Sequence, residues 1–248
     1  MEAGADSAPL NFRLDWGVHT IFRLLSSYRF QTVLDIGSGS GEHKRFFEYF
    51  GKQVYSVDLF HQADYCGDFL EIDFDRRFDV IWCSHVLEHQ RNVGLFLDKV
   101  FSLLPERGIL ALTVPYHPRE RLISGHINNF SIPLLCYHLI MAGFDCSKAQ
   151  ILGTFETSLI VRKKEAIHPE RGKSSAHGAD AGYEFAGIQD YFPFPATQGR
   201  EITEAMFNWG DPGCYILPRP AIQVPANIES KNLQTYPQFC PQLRFADG

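Results

Sequence analysis

Between residues 14 and 164 the chain alternates two hydrophobic patterns: short unbroken runs rich in β-branched residues, and stretches whose apolar positions recur every three or four residues. The first pattern fits a strand buried on both faces, the second an amphipathic helix. Leu14, Val18, Ile21, Phe22 and Leu25 set a helix within 14–28. TVLDI (32–36), QVYSVDL (53–59), FDVIWCS (78–84) and ILALTVP (109–115) read as strands, with a short mixed segment at 66–74. Further helices are expected over 41–51, stopped by Gly51, and over 93–104, ahead of Pro105. Another is expected over 131–144, where Ser131 caps, Pro133 sits in the first turn and Gly143 ends the helix. Residues 148–154 and 155–164 read as an antiparallel strand pair at the sheet edge. Strand and helix in turn predict a doubly wound α/β domain with a mostly parallel sheet.

From about residue 166 the periodicity stops, and Pro193, Pro195, Pro212, Pro218, Pro220, Pro225, Pro237 and Pro241 crowd the remainder. Tyr191, Phe192, Phe194, Phe207, Trp209, Tyr215, Tyr236 and Phe239 are too many large rings for a solvated tail. An irregular extension is expected, packed on the domain or forming a homodimer contact. The predicted organisation is an N-terminal segment and helix over 1–30, the α/β domain over 31–165 and a proline- and aromatic-rich extension over 166–248.

Composition narrows the function more than the fold. The 248 residues are 45% hydrophobic with a net charge of -6, which argues against a nucleic-acid partner, because a phosphate backbone is held by a basic stripe. The first residues lack the charged-then-apolar layout of a signal, and no window has the length needed for stable membrane insertion. A cytoplasmic location and a small-molecule partner are therefore expected. Cys66, Cys83, Cys136, Cys146, Cys214 and Cys240 include no CxxC pair, so reduced, mostly buried thiols are predicted. His89, His117 and His126 show no spacing that sets two ligands on one helix face, and no metal is expected.

The chemistry concentrates where a strand carrying Asp35 runs into a turn with glycines at Gly37, Gly39 and Gly41. Such a turn lets backbone approach a ligand closely. A dinucleotide fingerprint would place its third glycine at position 42, where Glu42 stands, and a carboxylate beside a pyrophosphate at a helix N-terminus is unfavourable. Asp35 is suited instead to a cationic ligand part such as an amino-acid ammonium, and Asp58, ending the next strand, to two ribose hydroxyls. A nucleoside site follows. The segment resembles motif I of class I S-adenosylmethionine-dependent methyltransferases, and the resemblance extends over about 31–164. Asp58 matches the family's ribose acid, Asp68 and Phe69 its adenine-contacting acid and neighbour, and residues 78–89 its fourth strand and following loop. The resemblance implies a Rossmann-like, seven-stranded, mostly parallel sheet with an antiparallel edge strand, and S-adenosyl-L-methionine as cofactor. It places cofactor contacts at Asp35, Gly37, Ser38, Gly39, Gly41, Asp58, Asp68, Phe69, Ser84 and His85.

The loop from Cys83 to His89 resembles the branch that includes ubiquinone-pathway O-methyltransferases and many methyltransferases of glycans and natural products. His85 either lines the cofactor pocket or holds the loop by a backbone hydrogen bond. Glu88 and His89 are read as opening a helix, where the dipole favours a carboxylate, and so as structural. The loop lacks the Asn/Asp-Pro-Pro-aromatic sequence that grips amines, and the positions a catechol-type metal site would use hold Cys83, Ser84, Pro115, Tyr116 and His117. Metal-independent O-methylation of a small molecule or glycan hydroxyl is the expected activity; the glycan rests on the resemblance of residues 125–144 to methyltransferases of such pathways. N- or C-methylation of a small metabolite, or a non-catalytic scaffold subunit, are the alternatives. Methyl transfer needs alignment and, for a hydroxyl, a base. His117 and His126 follow the strand at 109–115 and are the candidate catalytic residues, each otherwise a plain loop histidine, while Arg119 and Arg121 suit a substrate phosphate or carboxylate.

Overall fold

Most of the apolar runs take the element their pattern predicts. The computed structural model describes residues 10–116, 122–169, 187–195, 208–210, 213–222, 226–235 and 241–246. In chain order these include β1 (Leu10–Arg13), α1 (Val18–Ser27), β2 (Thr32–Ile36), α2 (Glu42–Tyr49), β3 (Gln53–Asp58), β4 (Tyr65–Cys66) and β5 (Val80–Ser84). There follow α3 (Val93–Leu103), β6 (Ile109–Pro115), α4 (Ile132–Met141), β7 (Gln150–Gly153) and β8 (Glu156–Arg162). The 66–74 segment contributes only β4, a two-residue edge strand, before turning away.

Seven strands form one sheet in the order β4-β3-β2-β5-β6-β8-β7. β8 runs antiparallel to both neighbours, β6 and β7, and the other pairings are parallel. The antiparallel pair expected over 148–164 therefore closes the sheet, with β8 inside and β7 outermost. Asn208 blunts the outer edge: its backbone N–H donates to Ile151 O at 3.1 Å, its Oδ1 accepts from Ile151 N and its Nδ2 donates to Ala149 O at 2.9 Å. An edge strand covered this way no longer offers unpaired groups to another chain.

Because consecutive strand side chains point to opposite faces, the buried runs supply two cores. Leu34, Ile36, Ile81, Cys83, Leu110 and Leu112 pack with α3 and α4, while Val33, Val80, Trp82, Ile109 and Ala111 pack with α1 and α2. α4 begins as its sequence foretells, with Ser131 Oγ accepting from Leu134 N at 3.4 Å and a proline in the first turn.

The second core is completed from far along the chain. Trp209, Tyr215 and Leu217 are buried in it, β1 pairs in parallel with β10 (Ala226–Glu229), and β9 (Cys214–Leu217) pairs in parallel with β11 (Gln242–Phe245). Tyr191, Phe192 and Phe194 lean on the first core. The described part of the extension is thus packed on the domain. Among the described cysteines, all free, Cys83, Cys136 and Cys146 are buried and Cys66 and Cys214 are exposed. No helix among the described residues is long and apolar enough to cross a membrane.

Candidate active site

The chain leaves β2 for β3 and β4 on one side and returns to β5 and β6 on the other, so the carboxyl ends of β2 and β5 flank a topological switch point. Open α/β sheets bind ligands there. The loops at this point are 37–41, after β2, and 85–92, after β5. A cleft of about 380 Å³ opens there, lined by Trp16, Gly37, Gly39, Ser40, His43 and Ser84 among others. A wider cleft, about 600 Å³, lies at the opposite ends of the strands beside Arg29, Arg107 and Arg162; strand direction, not volume, marks the site.

Gly37, Gly39 and Gly41 have φ of 71°, 51° and 78°, a region that costs any residue with a Cβ. At Gly37 space forbids it as well: a Cβ would stand 2.3 Å from Val86 Cγ2. The loops after β2 and β5 therefore touch at this glycine. Gly37 N and Ser38 N both donate to Val57 O, at 2.8 and 3.1 Å, and Gly39 N donates to Asp58 Oδ2 at 2.8 Å. The turn is consequently stitched to the end of β3.

Asp35 is 1% exposed, and its Oδ2 makes no hydrogen bond among the described residues. Burial pushes its carboxyl up to about 7, with Lys44 opposing and Asp58 adding to the rise. A buried acid of this kind fits a cationic partner. Asp58 differs. Its Oδ1 accepts from Phe60 N at 2.8 Å, His61 N at 2.7 Å and the His61 ring at 3.0 Å. Burial opposes ionisation, yet the N–H donors of Phe60, His61 and Gly39, joined by the His61 ring, outweigh it and hold Asp58 below the usual range. Oδ1 is thus occupied by protein, and Oδ2 carries one donor.

Asp68 is exposed and turns the chain, its Oδ1 accepting from Leu70 N at 2.9 Å. The Phe69 ring is core, 4.9 Å from Phe96. Ser84 Oγ lies 2.9 Å from Thr113 Oγ1. The His85 ring hydrogen-bonds to the Glu156 carboxylate and not to backbone, so it does not hold the loop in the second of its two expected ways, and it packs at 4.5 Å against Trp16, which lines the cleft. Nε2 meets Glu156 Oε2 at 2.9 Å and Nδ1 lies 3.4 Å from Glu88 Oε1. Burial alone would disfavour charge, but the two carboxylates overcome it and raise the imidazole to about 9. Glu156 also accepts from Gly17 N through both oxygens, at 2.9 and 3.1 Å, pinning the N-terminal segment over the sheet.

Glu88 and His89 do not open a helix. They close a short 3-10 turn, Leu87–His89, and α3 starts only at Val93. Glu88 is buried, and neither of its oxygens has a hydrogen-bond partner among the described residues. His126 is brought from the loop after β6 to the His89 ring, 4.8 Å away and edge-on. His117, Arg119 and Arg121 lie outside the described residues.

Sequence reasoning missed Glu156, Trp16 and His43. His43 accepts from Trp82 Nε1 at 3.2 Å through Nδ1 and meets Trp16 O at 2.9 Å through Nε2. Burial lowers its pKa to about 4, the Trp16 carbonyl opposing and His85 adding, so the ring is neutral and donates to Trp16 O. Only its position in the first turn after the glycines, one residue past Glu42, pointed to it.

A family model described as a methyltransferase domain matches residues 18–136. Ubiquinone biosynthesis O-methyltransferase of Nitrobacter winogradskyi is 35% identical over 95 residues, covering 32% of this chain and 36% of that protein. The chain thus spans 36% of the curated relative it matches. Among solved structures, 1,6-didemethyltoxoflavin-N1-methyltransferase of Burkholderia thailandensis, determined with 1,6-didemethyltoxoflavin and S-adenosylhomocysteine bound, aligns with a TM-score of 0.50 at 23% identity. The alignment covers 59% of this chain and 77% of that one, and establishes the fold.

Proposed function

Residues 18–136 match a family model described as a methyltransferase domain, and from that premise we propose that the protein is an S-adenosylmethionine-dependent methyltransferase acting on a hydroxyl of a small molecule. The observation that carries this reading is Asp35, a buried carboxylate with an unbonded oxygen at the switch point, beside a glycine turn with no room for a side chain at Gly37. When bound, the cofactor supplies an electrophilic methyl group on a sulfonium. The chain's part is to hold and align. Asp35 takes the ammonium, the backbone of Gly37, Ser38, Gly39 and Gly41 lies against the amino-acid and ribose part, and Asp58 Oδ2 accepts from a ribose hydroxyl. Asp68 and the backbone at Phe69 face the base, and Ser84 and Trp16 close the cleft. Alignment with exclusion of water contributes on the order of 7–11 kcal/mol to such a transfer.

Oxygen as the methyl acceptor is supported by the ubiquinone-pathway relative, which is named as an O-methyltransferase. A glycan hydroxyl and a cytoplasmic setting are the finer proposals. On the acceptor side His126 is the described candidate for general base, a role that contributes about 10²–10⁴-fold where it operates; His117 is the second candidate. A methyl group appearing on nitrogen or carbon would favour the N- or C-methyltransferase alternatives.

Calorimetric titration of the purified chain with S-adenosylmethionine and S-adenosylhomocysteine tests the reading, followed by mass-spectrometric assay against sugar nucleotides and small phenols. Micromolar binding and a product heavier by one methyl group are expected. A folded protein that binds neither compound leaves the scaffold reading in its place.

A further inference from the structure

Two adjacent ligand-type side chains, Glu88 and His89, meet a third, His126, brought from beyond the next strand, beside the proposed acceptor loop. One ligand atom each from Glu88, His89 and His126 lies within 4.8 Å of the others. His89 Nε2 is 3.8 Å from Glu88 Oε1, and His89 and His126 present their rings to each other at 87°. The arrangement is held by backbone. Ile127 N and Asn128 N both donate to Glu88 O at 3.0 Å, and Asn128 Nδ2 donates to Gln90 O at 2.7 Å, so the 122–130 loop is strapped to the turn carrying Glu88 and His89. Gly125, at φ 81°, turns its carbonyl onto His89 Nδ1 at 2.8 Å. That bond fixes the proton on Nδ1 and leaves the Nε2 lone pair facing Glu88, which is how a carbonyl orients a metal-ligating histidine.

The second observation is Glu88 itself. It is 1% exposed, and neither carboxylate oxygen has a hydrogen-bond partner among the described residues. A buried carboxylate in that condition is costly unless a cation meets it. His85 Nδ1 reaches one oxygen at 3.4 Å but is bonded through its other nitrogen to Glu156 at 2.9 Å, so its charge is shared between two acids.

We propose that Glu88, His89 and His126 form a binding site for one divalent transition-metal ion. Two imidazoles and one carboxylate suit zinc, cobalt, iron or nickel rather than magnesium or calcium, which prefer oxygen ligands. Three protein ligands leave coordination positions open, the pattern of a catalytic rather than a structural site. Its use, unlike its existence, rests on the methyl-transfer reading. An acceptor hydroxyl at an open position loses its proton to water, and its oxygen takes the methyl group as the carbon–sulfur bond breaks and the sulfur keeps the electron pair. His126 is then a ligand and not a base. The spacing rule misses the site because it looks for two ligands on one helix face, whereas these come from a 3-10 turn and from a loop beyond the next strand.

The test is titration of the chelator-stripped full chain with Co²⁺, followed by visible absorption and by Zn²⁺ competition, alongside calorimetry with S-adenosylhomocysteine. One Co²⁺ per chain, displaced by Zn²⁺, is expected, with His89→Ala and His126→Ala each weakening binding at least about tenfold. His89 is exposed, so its variant keeps the fold even where Glu88→Gln does not. Absence of Co²⁺ binding by the wild-type chain overturns the site, as does undiminished affinity in both histidine variants. S-adenosylhomocysteine affinity is expected to be unchanged in both variants, so loss of the metal site and failure of the cofactor reading give separate results.

Discussion

At Asp35 the proposed ligand recognition and stability fall on one residue. Its carboxyl, pushed up to about 7 chiefly by burial, binds a proton in the folded chain over a pH range where the unfolded chain has lost it. In the cofactor-free protein this stabilisation is fully present below about pH 4 and is lost as pH rises through about 7, a swing of roughly 4 kcal/mol at most. Asp35→Asn should flatten the fall in melting temperature between pH 5 and 8 and abolish cofactor binding; equal slopes for the two proteins would refute the assignment. At Gly37 the conflict is steric. Gly37→Ala puts a methyl group 2.3 Å from Val86 Cγ2 at φ 71°, so the two loops must separate, and calorimetry should show cofactor affinity reduced at least about tenfold, each 1.4 kcal/mol being a factor of ten. Both positions were legible in the sequence, since an acid at a strand end and a run of glycines are local signals. The Asp58 Oδ1 contacts and the core placement of the Phe69 ring were not, because they depend on how the segment after β3 folds back.

At the scale of elements, β8 matters through a residue no motif singles out. Glu156, at its first position, is 0% exposed and ties Gly17 to His85. Glu156→Ala leaves a buried imidazole without its closest acid and the Gly17 N–H without an acceptor. Removing one partner of a buried pair costs roughly 3–5 kcal/mol, and urea denaturation should report a loss of that order, whereas an unshifted midpoint would show that the pair contributes nothing. The helices, with the inner strands, were readable from periodicity, capping serine and stop glycines, all of which act within a few residues. Pairing was less so. The parallel partnership of β1 with β10 joins residues more than 200 apart, and no local pattern announces it.

For the molecule as a whole, the extension is structural in its described part. Trp209 is 2% exposed and stands in the same core as Phe22 and Trp82. Trp209→Ala should destabilise the protein by roughly 3–5 kcal/mol, measurable in chemical denaturation, and a change near zero would mean that the extension merely rests on the domain. Cofactor binding per molecule folded should be retained, because Trp209 does not line the switch-point cleft.

Hydrophobic period, turn glycines and the Asp35 and Asp58 positions already determined the α/β architecture, the order of most elements and the location of the proposed nucleoside site, since each is a property of a few neighbouring residues. Tertiary structure alone decided which distant side chains share an environment. Glu156 meets His85 across the sheet, His126 meets Glu88 and His89 across a strand and a loop, and the C-terminal aromatics close a core begun near residue 12. Such contacts carry no signature in spacing, because the chain between them is free to vary while burial and the need to satisfy each polar group select the partner.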